Sequence, residues 1–357
     1  MASGDIAEEL QCRVTEAGAE GRVLELLGGG SKRFYGCEPR GEQLALTAHS
    51  GIVSYEPTEL TITARGGTPL REIEAALLAA NQMLPFEPPH FDETATLGGT
   101  IACNLSGPRR PYAGAARDLV LGCKLLNGKG EILSFGGEVM KNVAGYDLSR
   151  LMAGALGTLG ILLEVSLKVL PRPEDEVTLR FDGLSTKQAL ARIHQLSQQP
   201  LPISASAIDD DGLVIRLSGT PEGVAAACHA VEGEWLNPAV ADGWWQALRE
   251  QQHDFFNSEQ PLWRLSIGSD TPPLDIEGEW LYEWGGAQRW LLSSARAETI
   301  FDAAAKAGGH ATAYRNHTDH SAPFQPLPTA VMALHRRLKQ SFDPHGILNP
   351  GRLYAEL

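Results

Sequence analysis

The sequence predicts an α+β fold with more than one domain, from its length, its hairpin signals and one proline-rich break. A chain of 357 residues exceeds what a single hydrophobic core usually supports. Turn signals flanked by strand-like runs favour antiparallel pairing, and they alternate with amphipathic helical stretches. The Pro171-Arg172-Pro173 segment marks a boundary. We therefore place domains at 1–171 and 172–328, followed by a C-terminal helix and tail at 329–357.

The first part combines short strands with helices. Apolar spacing predicts a helix over 5–20, and a second helix begins after Thr68, which is placed to cap it, with Pro69 in its first turn. Asn127-Gly128-Lys129-Gly130 is a strong hairpin turn. The other predicted elements are strands over 22–27, 45–55, 60–64, 119–126, 131–135 and 161–170, and a short helix over 148–152.

The second part repeats an order of strand, helix and hairpin that is typical of a ferredoxin-like unit. We predict one antiparallel sheet with helices on one face. All seven tryptophans lie between positions 235 and 290, where a core role is favoured over an interface. The predicted strands cover 176–181, 204–208, 213–217, 262–267 and 310–314, with a hairpin over 280–293 and helices over 186–198, 221–231, 297–307 and 329–340.

Charge and cysteine usage exclude several classes of protein. The net charge of −14 and the lack of a basic run argue against nucleic-acid binding. The five cysteines are scattered without a C-x-x-C pair, which excludes a ferredoxin-type cluster or zinc ribbon in this chain and indicates a reducing compartment. No apolar run approaches the roughly 20 residues of a membrane span, and no signal peptide is recognised. We expect a cytoplasmic protein whose membrane contact is at most peripheral.

Four glycine-rich segments in the first part are the main functional signal. Glycine lets the backbone approach a ligand closely, and clustered backbone amides bind anions. Together the segments indicate a large anionic cofactor held mostly by main chain, which we interpret as FAD. Alone, each glycine segment is also compatible with an ordinary turn or a bulge. The Arg117-Asp118 pair is compatible with a structural brace or with a surface ion pair. The candidate cofactor-binding residues are Gly28, Gly29, Gly30, Ser31, Lys32, Thr96, Leu97, Gly98, Gly99, Ala102, Asn104, Gly107, Gly114, Arg117, Asp118, Gly157, Thr158, Gly160 and Ile161.

Other polar residues give weaker signals. The segment from His317 to His320 resembles a metal site, but it offers no third ligand, so we expect a solvated loop and no metal. His90 precedes the second glycine segment and is expected at the surface. No known hydrolase or protease motif is present, and the catalytic residues stay unassigned.

These segments resemble the flavoproteins of the vanillyl-alcohol oxidase and para-cresol methylhydroxylase (PCMH) type, and within them the FAD-binding E subunits of bacterial glycolate oxidase, also called glycolate dehydrogenase. The matching residues are Leu27–Lys32, Ala64–Leu70, Ala95–Gly107, Tyr112–Gly122, Lys141–Pro171 and Phe342–Leu353. The run from Lys141 to Leu148 is the most specific part for this subunit.

The resemblance implies a PCMH-type FAD-binding domain of two α+β subdomains over 1–171, with the middle of the chain as a ferredoxin-like cap. The Gly28–Lys32 and Thr96–Gly107 loops would hold the pyrophosphate and reach the flavin, and Gly157–Ile161 would lie near the adenine. The closing Asp343–Gly351 segment, which adds Asn349 to the candidates, would return to the FAD domain.

Two departures from the family pattern shape the expected function. Many relatives attach FAD through a histidine in the first loop, where this chain has Ser31 and Lys32, so we expect non-covalent FAD. Hydroxy-acid-oxidising relatives carry a histidine-rich metal motif in the cap, where this chain offers only Gly308-Gly309-His310. The resemblance then implies a glycolate oxidase complex in which a partner flavoprotein subunit performs the main chemistry and an iron–sulfur subunit accepts electrons.

Three hypotheses remain open at this stage. The chain is an FAD-binding subunit with an electron-relay or assembly role in oxidising glycolate to glyoxylate. It is instead a self-sufficient FAD oxidoreductase acting on a small hydroxy acid or alcohol, with His310, Tyr314 or Arg315 as candidate groups. Or it is an assembly subunit that has lost its flavin, against which the retained glycines argue.

Overall fold

The computed structural model describes residues 4–137, 147–317 and 322–357. Most of the subunit-specific run that begins at Lys141, and most of the His317–His320 segment, lie outside the described residues.

The described residues form helices and strands in close agreement with the predicted pattern. The helices are α1 (Ala7–Glu20), α2 (Leu70–Ala79), α3 (Leu97–Cys103), α4 (Arg110–Ala113), α5 (Ala116–Leu119), α6 (Leu148–Leu151), α7 (Thr186–Ser197), α8 (Pro221–Val231), α9 (Pro238–Arg249), α10 (Ala297–Lys306) and α11 (Thr329–Phe342). The strands are β1 (Leu24–Leu27), β2 (Glu42–Ala45), β3 (Ile52–Glu56), β4 (Thr61–Arg65), β5 (Gln82–Met83), β6 (Val120–Leu126), β7 (Ile132–Gly136), β8 (Ile161–Lys168), β9 (Leu170–Pro171), β10 (Asp175–Asp182), β11 (Ile203–Ile208), β12 (Gly212–Gly219), β13 (Glu234–Trp235), β14 (Leu262–Ser266), β15 (Glu279–Glu283), β16 (Gln288–Leu292) and β17 (His310–Arg315).

The N-terminal part contains two separate α+β units. In the first, β1 and β2 pair in parallel, and α1 buries Leu10 and Val14 against β1. The second is an antiparallel five-stranded sheet in the order β3-β4-β8-β6-β7, and α2 buries Ile73 and Leu77 in its core. The cavity described below lies where these two units meet.

The second half forms one antiparallel eight-stranded sheet in the order β13-β10-β12-β11-β15-β16-β14-β17. Alternation along β12 directs Leu213 and Ile215 into the core shared with α7 and α8, and Val214 into the core shared with α9. The second of these cores also contains Tyr35 and Leu156 of the N-terminal part. One face of the sheet therefore packs towards the N-terminal part of the chain.

The C-terminal tail returns to the N-terminal part. Leu348 pairs in parallel with Leu24 of β1, and the Leu24 N–H donates to the carbonyl of Ile347 over 2.7 Å. The buried Lys339 ammonium donates to the Asp343 carboxylate, to Leu348 and to the carbonyl of Thr158 at 2.6–2.9 Å. These bonds place the tail beside the cavity.

A buried ion network joins the two halves. Glu87 accepts hydrogen bonds from Arg216 of β12 at 2.7 Å and from the Arg109 side chain at 3.2 Å, and Arg109 also donates to Glu176 of β10 at 2.7 Å. Burial alone would raise the pKa of Glu87, but the two guanidinium groups outweigh it and hold that pKa below its usual range. The carboxylates of Glu87 and Glu176 and the guanidinium groups of Arg109 and Arg216 therefore neutralise each other at the contact between the sheets.

Four details differ from the predicted pattern. The predicted strand over 45–55 is two strands, because Gly51 takes a φ of +117° in the loop between β2 and β3. Thr68 does not cap α2, because its hydroxyl is hydrogen bonded to the backbone of Gly51. The glycine segment after Thr96 is helix α3 rather than an open loop. Helix α9 was not predicted, and it places helices on both faces of the cap sheet.

Candidate functional site

A cavity with an empty volume of about 1000 Å³ opens between the two N-terminal units. Its walls come from β1 and the loop after it, from α3, from the segment before β8, and from the C-terminal tail. The chain thus brings residues from positions 25 to 352 around one site.

The loop from Gly28 to Lys32 lines this cavity. In the part of the chain that the structure describes, no backbone N–H of these five residues donates to a protein acceptor. The loop is pressed against Thr94, whose hydroxyl donates to the Gly29 carbonyl over 2.7 Å. A Cβ on Gly29 would lie 1.6 Å from the Thr94 carbonyl oxygen, so only glycine fits. Successive free amides of this kind bind anionic oxygens.

Asn349 fixes the opposite wall. Its side chain accepts from the Leu26 N–H and donates to the Leu156 carbonyl, both over 2.7 Å. Gly157 has a φ of +74°, and a Cβ there would lie 2.8 Å from the Asn349 amide nitrogen. The tail, β1 and the loop before β8 are therefore held together by one side chain.

Two buried cations contribute to the walls. Lys32 is 7% exposed and Arg352 is 7% exposed, and burial lowers the pKa of both groups. Arg352 donates to the carbonyls of Cys37 and Arg33. In contrast, the Arg33 guanidinium is paired with the buried Glu25 carboxylate at 2.8 Å. The Lys32 and Arg352 charges compensate part of the negative charge of an anionic ligand.

Most of the predicted site residues lie together in this cavity. Those that line it are Gly28, Gly29, Gly30, Ser31, Lys32, Thr96, Gly98, Gly99, Ala102, Gly157, Gly160, Ile161 and Asn349. The predicted residues outside its lining are Leu97, Asn104, Gly107, Gly114, Arg117, Asp118 and Thr158.

The residues outside the lining support the loops around it. Leu97, the first residue of α3, is buried in the core of the five-stranded sheet. The Asn104 side chain accepts from the Arg117 N–H over 3.1 Å, and Asp118 accepts from the Ala115 N–H over 3.0 Å. The interpretation of Asp118 as a brace agrees with this geometry. The Gly107 carbonyl accepts from the Trp284 indole of the cap over 3.1 Å.

Several lining residues were missed by the sequence analysis. The apolar ones follow directly from the strands and loops already identified, but the charged ones carry no local signal because the tertiary fold brings them in. The missed residues are Glu25, Leu26, Leu27, Arg33, Pro39, Leu46, Gly66, Cys103, Met152, Ala155, Leu156, Leu162 and Arg352.

The candidate groups for a self-sufficient reaction lie outside the cavity lining. His90, which was expected at the surface, is partly buried, and its imidazole is 3.1 Å from Glu74. His310 is exposed on β17, and Tyr314 is buried in an aromatic cluster, where burial raises its pKa. Arg315 stacks over Phe34 at 4.3 Å. Among the described residues, no group of three or more histidine, cysteine or acidic side chains forms a potential metal site.

Comparison with known proteins identifies the family. Residues 5–136 match the FAD binding domain, and residues 324–353 match the C-terminal domain of FAD linked oxidases. The chain is 50% identical over 353 residues to the glycolate oxidase subunit GlcE of Escherichia coli, covering 99% of both chains. The chain belongs to the FAD-linked glycolate oxidase E-subunit family. FAD, predicted from the glycine loops, is thereby confirmed as its cofactor.

More distant relatives and structures extend the comparison. This chain is 26% identical to the glycolate oxidase subunit GlcD of Bacillus subtilis, over 90% of this chain and 81% of that one. It is 32% identical to a D-lactate dehydrogenase of Anaerostipes hadrus, over 45% and 34% respectively. A solved structure of alkyldihydroxyacetonephosphate synthase matches 96% of this chain and 75% of its own with a TM-score of 0.67 and 15% identity, which shows a shared fold. Among the described residues, no helix is long and apolar enough to cross a membrane.

The cavity fits FAD through its donor set. The free amides of the Gly28–Lys32 loop suit a diphosphate, and the apolar Met152, Leu156 and Leu162 side chains suit flat rings. When bound, FAD supplies a two-electron acceptor. Asn349 holds the walls together, the free amides would bind the diphosphate, and the packing of the cap on Tyr35 would shield the site from water.

Proposed function

We propose that this chain is the FAD-binding subunit of a complex that oxidises glycolate to glyoxylate, with an electron-relay or assembly role. The main chemistry takes place on a partner flavoprotein subunit, and an iron–sulfur subunit receives the electrons. Support comes from the E. coli relative, which is named as a subunit of glycolate oxidase. The complex is cytoplasmic, and any contact with the inner membrane is peripheral and made through the partners.

One observation favours this division of labour. Oxidation of a hydroxy acid needs a base to take the hydroxyl proton. The titratable groups that line the described cavity are Glu25, Lys32, Arg33, Cys103 and Arg352, without a histidine or a tyrosine. Glu25 is already paired with Arg33 at 2.8 Å, so its carboxylate has a structural partner. The cavity binds FAD but supplies no free carboxylate or imidazole for substrate deprotonation.

We further propose that residues 1–171 and 329–357 form the FAD-binding domain, and that residues 172–328 form the cap. FAD is held without a covalent bond, by the thirteen predicted residues that line the cavity. Acid precipitation of the purified protein should release all of its flavin into the supernatant. Flavin fluorescence that stays with the precipitated chain would contradict non-covalent binding.

The test of the function compares the chain alone with its complex. We expect the isolated chain to bind FAD and show flavin absorbance, but to keep that absorbance when glycolate is added under anaerobic conditions. Addition of the partner subunits should then allow glycolate to bleach it. Bleaching of the isolated chain by glycolate or D-lactate would instead support a self-sufficient dehydrogenase, such as the D-lactate relative.

A variant separates the relay role from a flavin-free assembly role. Gly99 lines the cavity, and a Cβ there already lies 3.2 Å from the Thr96 hydroxyl, so Gly99→Val narrows the FAD site. Gly243→Val in α9 is the control, because a Cβ there meets nothing within 4 Å. If complex activity survives Gly99→Val without bound FAD on this chain, the subunit serves assembly alone.

A further inference from the structure

Lys32 is a buried cation with unusually weak compensation. Its ammonium donates to the His90 carbonyl at 3.3 Å and to the Ser31 hydroxyl at 3.4 Å, both near the long limit of a hydrogen bond. Among the described residues, no carboxylate forms an ion pair with it. An ammonium has three donors, so this group has capacity for a stronger acceptor inside the cavity that it lines.

The surroundings of Lys32 come from both halves of the chain. Its ammonium lies 5.5 Å from the centre of the Phe91 ring, and the Arg315 guanidinium lies 4.9 Å from the same centre. The titratable groups that act on Lys32 are Cys103 of α3 and Glu250, which follows α9. Glu250 is already occupied by the backbone amides of His90 and Phe91. This end of the cavity is therefore positive and adjoins the cap.

The position of Lys32 distinguishes two anionic parts of FAD. The diphosphate is already served by the free amides that precede Lys32 in the same loop. The ammonium lies at the end of that loop, beside Phe91, where aromatic side chains of the N-terminal part pack against the cap. Reduction of neutral isoalloxazine by two electrons and one proton gives the anionic hydroquinone FADH⁻, whose new charge needs a nearby cation.

We propose that Lys32 stabilises the negative charge that two-electron reduction places on bound FAD, and thereby raises its reduction potential. This inference rests on the FAD site described above and is independent of which subunit oxidises glycolate. Lys32 acts by its charge on the flavin and takes no part in bond breaking.

The test measures the midpoint potential of the FAD-loaded chain with dithionite as the reductant and redox dyes as the reference. Lys32→Met should bind reduced FAD at least about tenfold less tightly relative to oxidised FAD, which lowers the potential by about 30 mV for a two-electron couple. Lys32→Arg should keep the wild-type value. Lys129→Met, which removes an exposed cation on the hairpin turn between β6 and β7, is the control.

Titration of the FAD-free protein with oxidised and with reduced FAD tests the alternative that Lys32 binds the diphosphate. If Lys32 serves the diphosphate, Lys32→Met weakens oxidised and reduced FAD equally, the potential stays unchanged, and the proposal is overturned. The wild type gives a second test that does not depend on a variant folding. Its potential should fall by about 30 mV per pH unit between pH 6 and 8.5, as one proton per two electrons requires, whereas a slope of about 59 mV would overturn the proposal. A wild-type chain that takes up no FAD would instead refute the proposed function.

Discussion

Replacement of Gly157 by alanine tests how the tail, β1 and the glycine loop are held together. Gly157 has a φ of +74°, and its added Cβ would lie 2.8 Å from the Asn349 amide nitrogen and 3.1 Å from a Leu26 methyl group. Gly308 has a nearly identical φ of +75°, but a Cβ there meets nothing within 4 Å. The pair of variants Gly157→Ala and Gly308→Ala therefore separates backbone strain from contact.

The magnitude follows from this comparison. A left-handed conformation costs an alanine about 1–2 kcal/mol, and both variants carry that cost. Gly157→Ala must in addition displace the Asn349 side chain, which makes two hydrogen bonds worth about 1 kcal/mol each. We expect the free energy of unfolding to fall by about 1–2 kcal/mol more for Gly157→Ala than for Gly308→Ala.

Urea unfolding followed by far-ultraviolet circular dichroism measures the stability difference, and titration of the FAD-free protein measures cofactor affinity. Because Asn349 and Gly157 both line the cavity, Gly157→Ala should weaken FAD at least about tenfold, while Gly308→Ala should leave it unchanged. Equal stability and equal FAD affinity in the two variants would refute the view that the Asn349 contact shapes the site.

Two further predictions concern buried carboxylates. Glu87→Ala leaves the guanidinium groups of Arg109 and Arg216 with Glu176 as their remaining carboxylate partner, so it should lower the free energy of unfolding by about 2–3 kcal/mol, measured by tryptophan fluorescence in urea. Glu93→Ala, at an exposed ion pair, should change it by less than about 1 kcal/mol. Comparable losses would contradict the bridging role. Burial raises the pKa of Glu283 to about 7, so the native state holds this proton more tightly than the unfolded state does. Its stabilising contribution should be complete below about pH 4.5 and fall as the pH rises to about 7, and Glu283→Gln should remove that part of the pH dependence. An unchanged pH profile in Glu283→Gln would show that this carboxyl does not titrate there.

The local sequence signal and the cavity coincide at residues 28–32. Consecutive glycines after a strand single out this loop, and all five residues line the cavity. Asn104 was a candidate because its side chain can donate hydrogen bonds, and Asp118 because its pair with Arg117 could brace a loop. In the structure both side chains accept hydrogen bonds from backbone amides, of Arg117 and Ala115 respectively, outside the cavity lining.

Part of what sequence reasoning missed depends on distant contacts. Arg352 reaches the cavity because the tail pairs with β1, more than 320 residues away along the chain. Helix α9 did carry a local signal that was overlooked, because Asn237 caps it, Pro238 begins it, and Ala241, Trp245 and Leu248 are buried at helical spacing. Its apolar face is defined by the core between the cap sheet and the N-terminal part.

By itself, the sequence determined the α+β class, the order of most elements and the use of FAD, since backbone-level signals such as hairpin turns and glycine loops are written in neighbouring residues. Only the tertiary structure decided which charged groups line the cavity and which pair with each other. Lys32 has no carboxylate ion pair among the described residues, whereas Glu25 and Glu87 have arginine partners. The stability of a buried charge depends on its desolvation and on its partners. Both follow from burial and spatial proximity, which no local sequence pattern encodes.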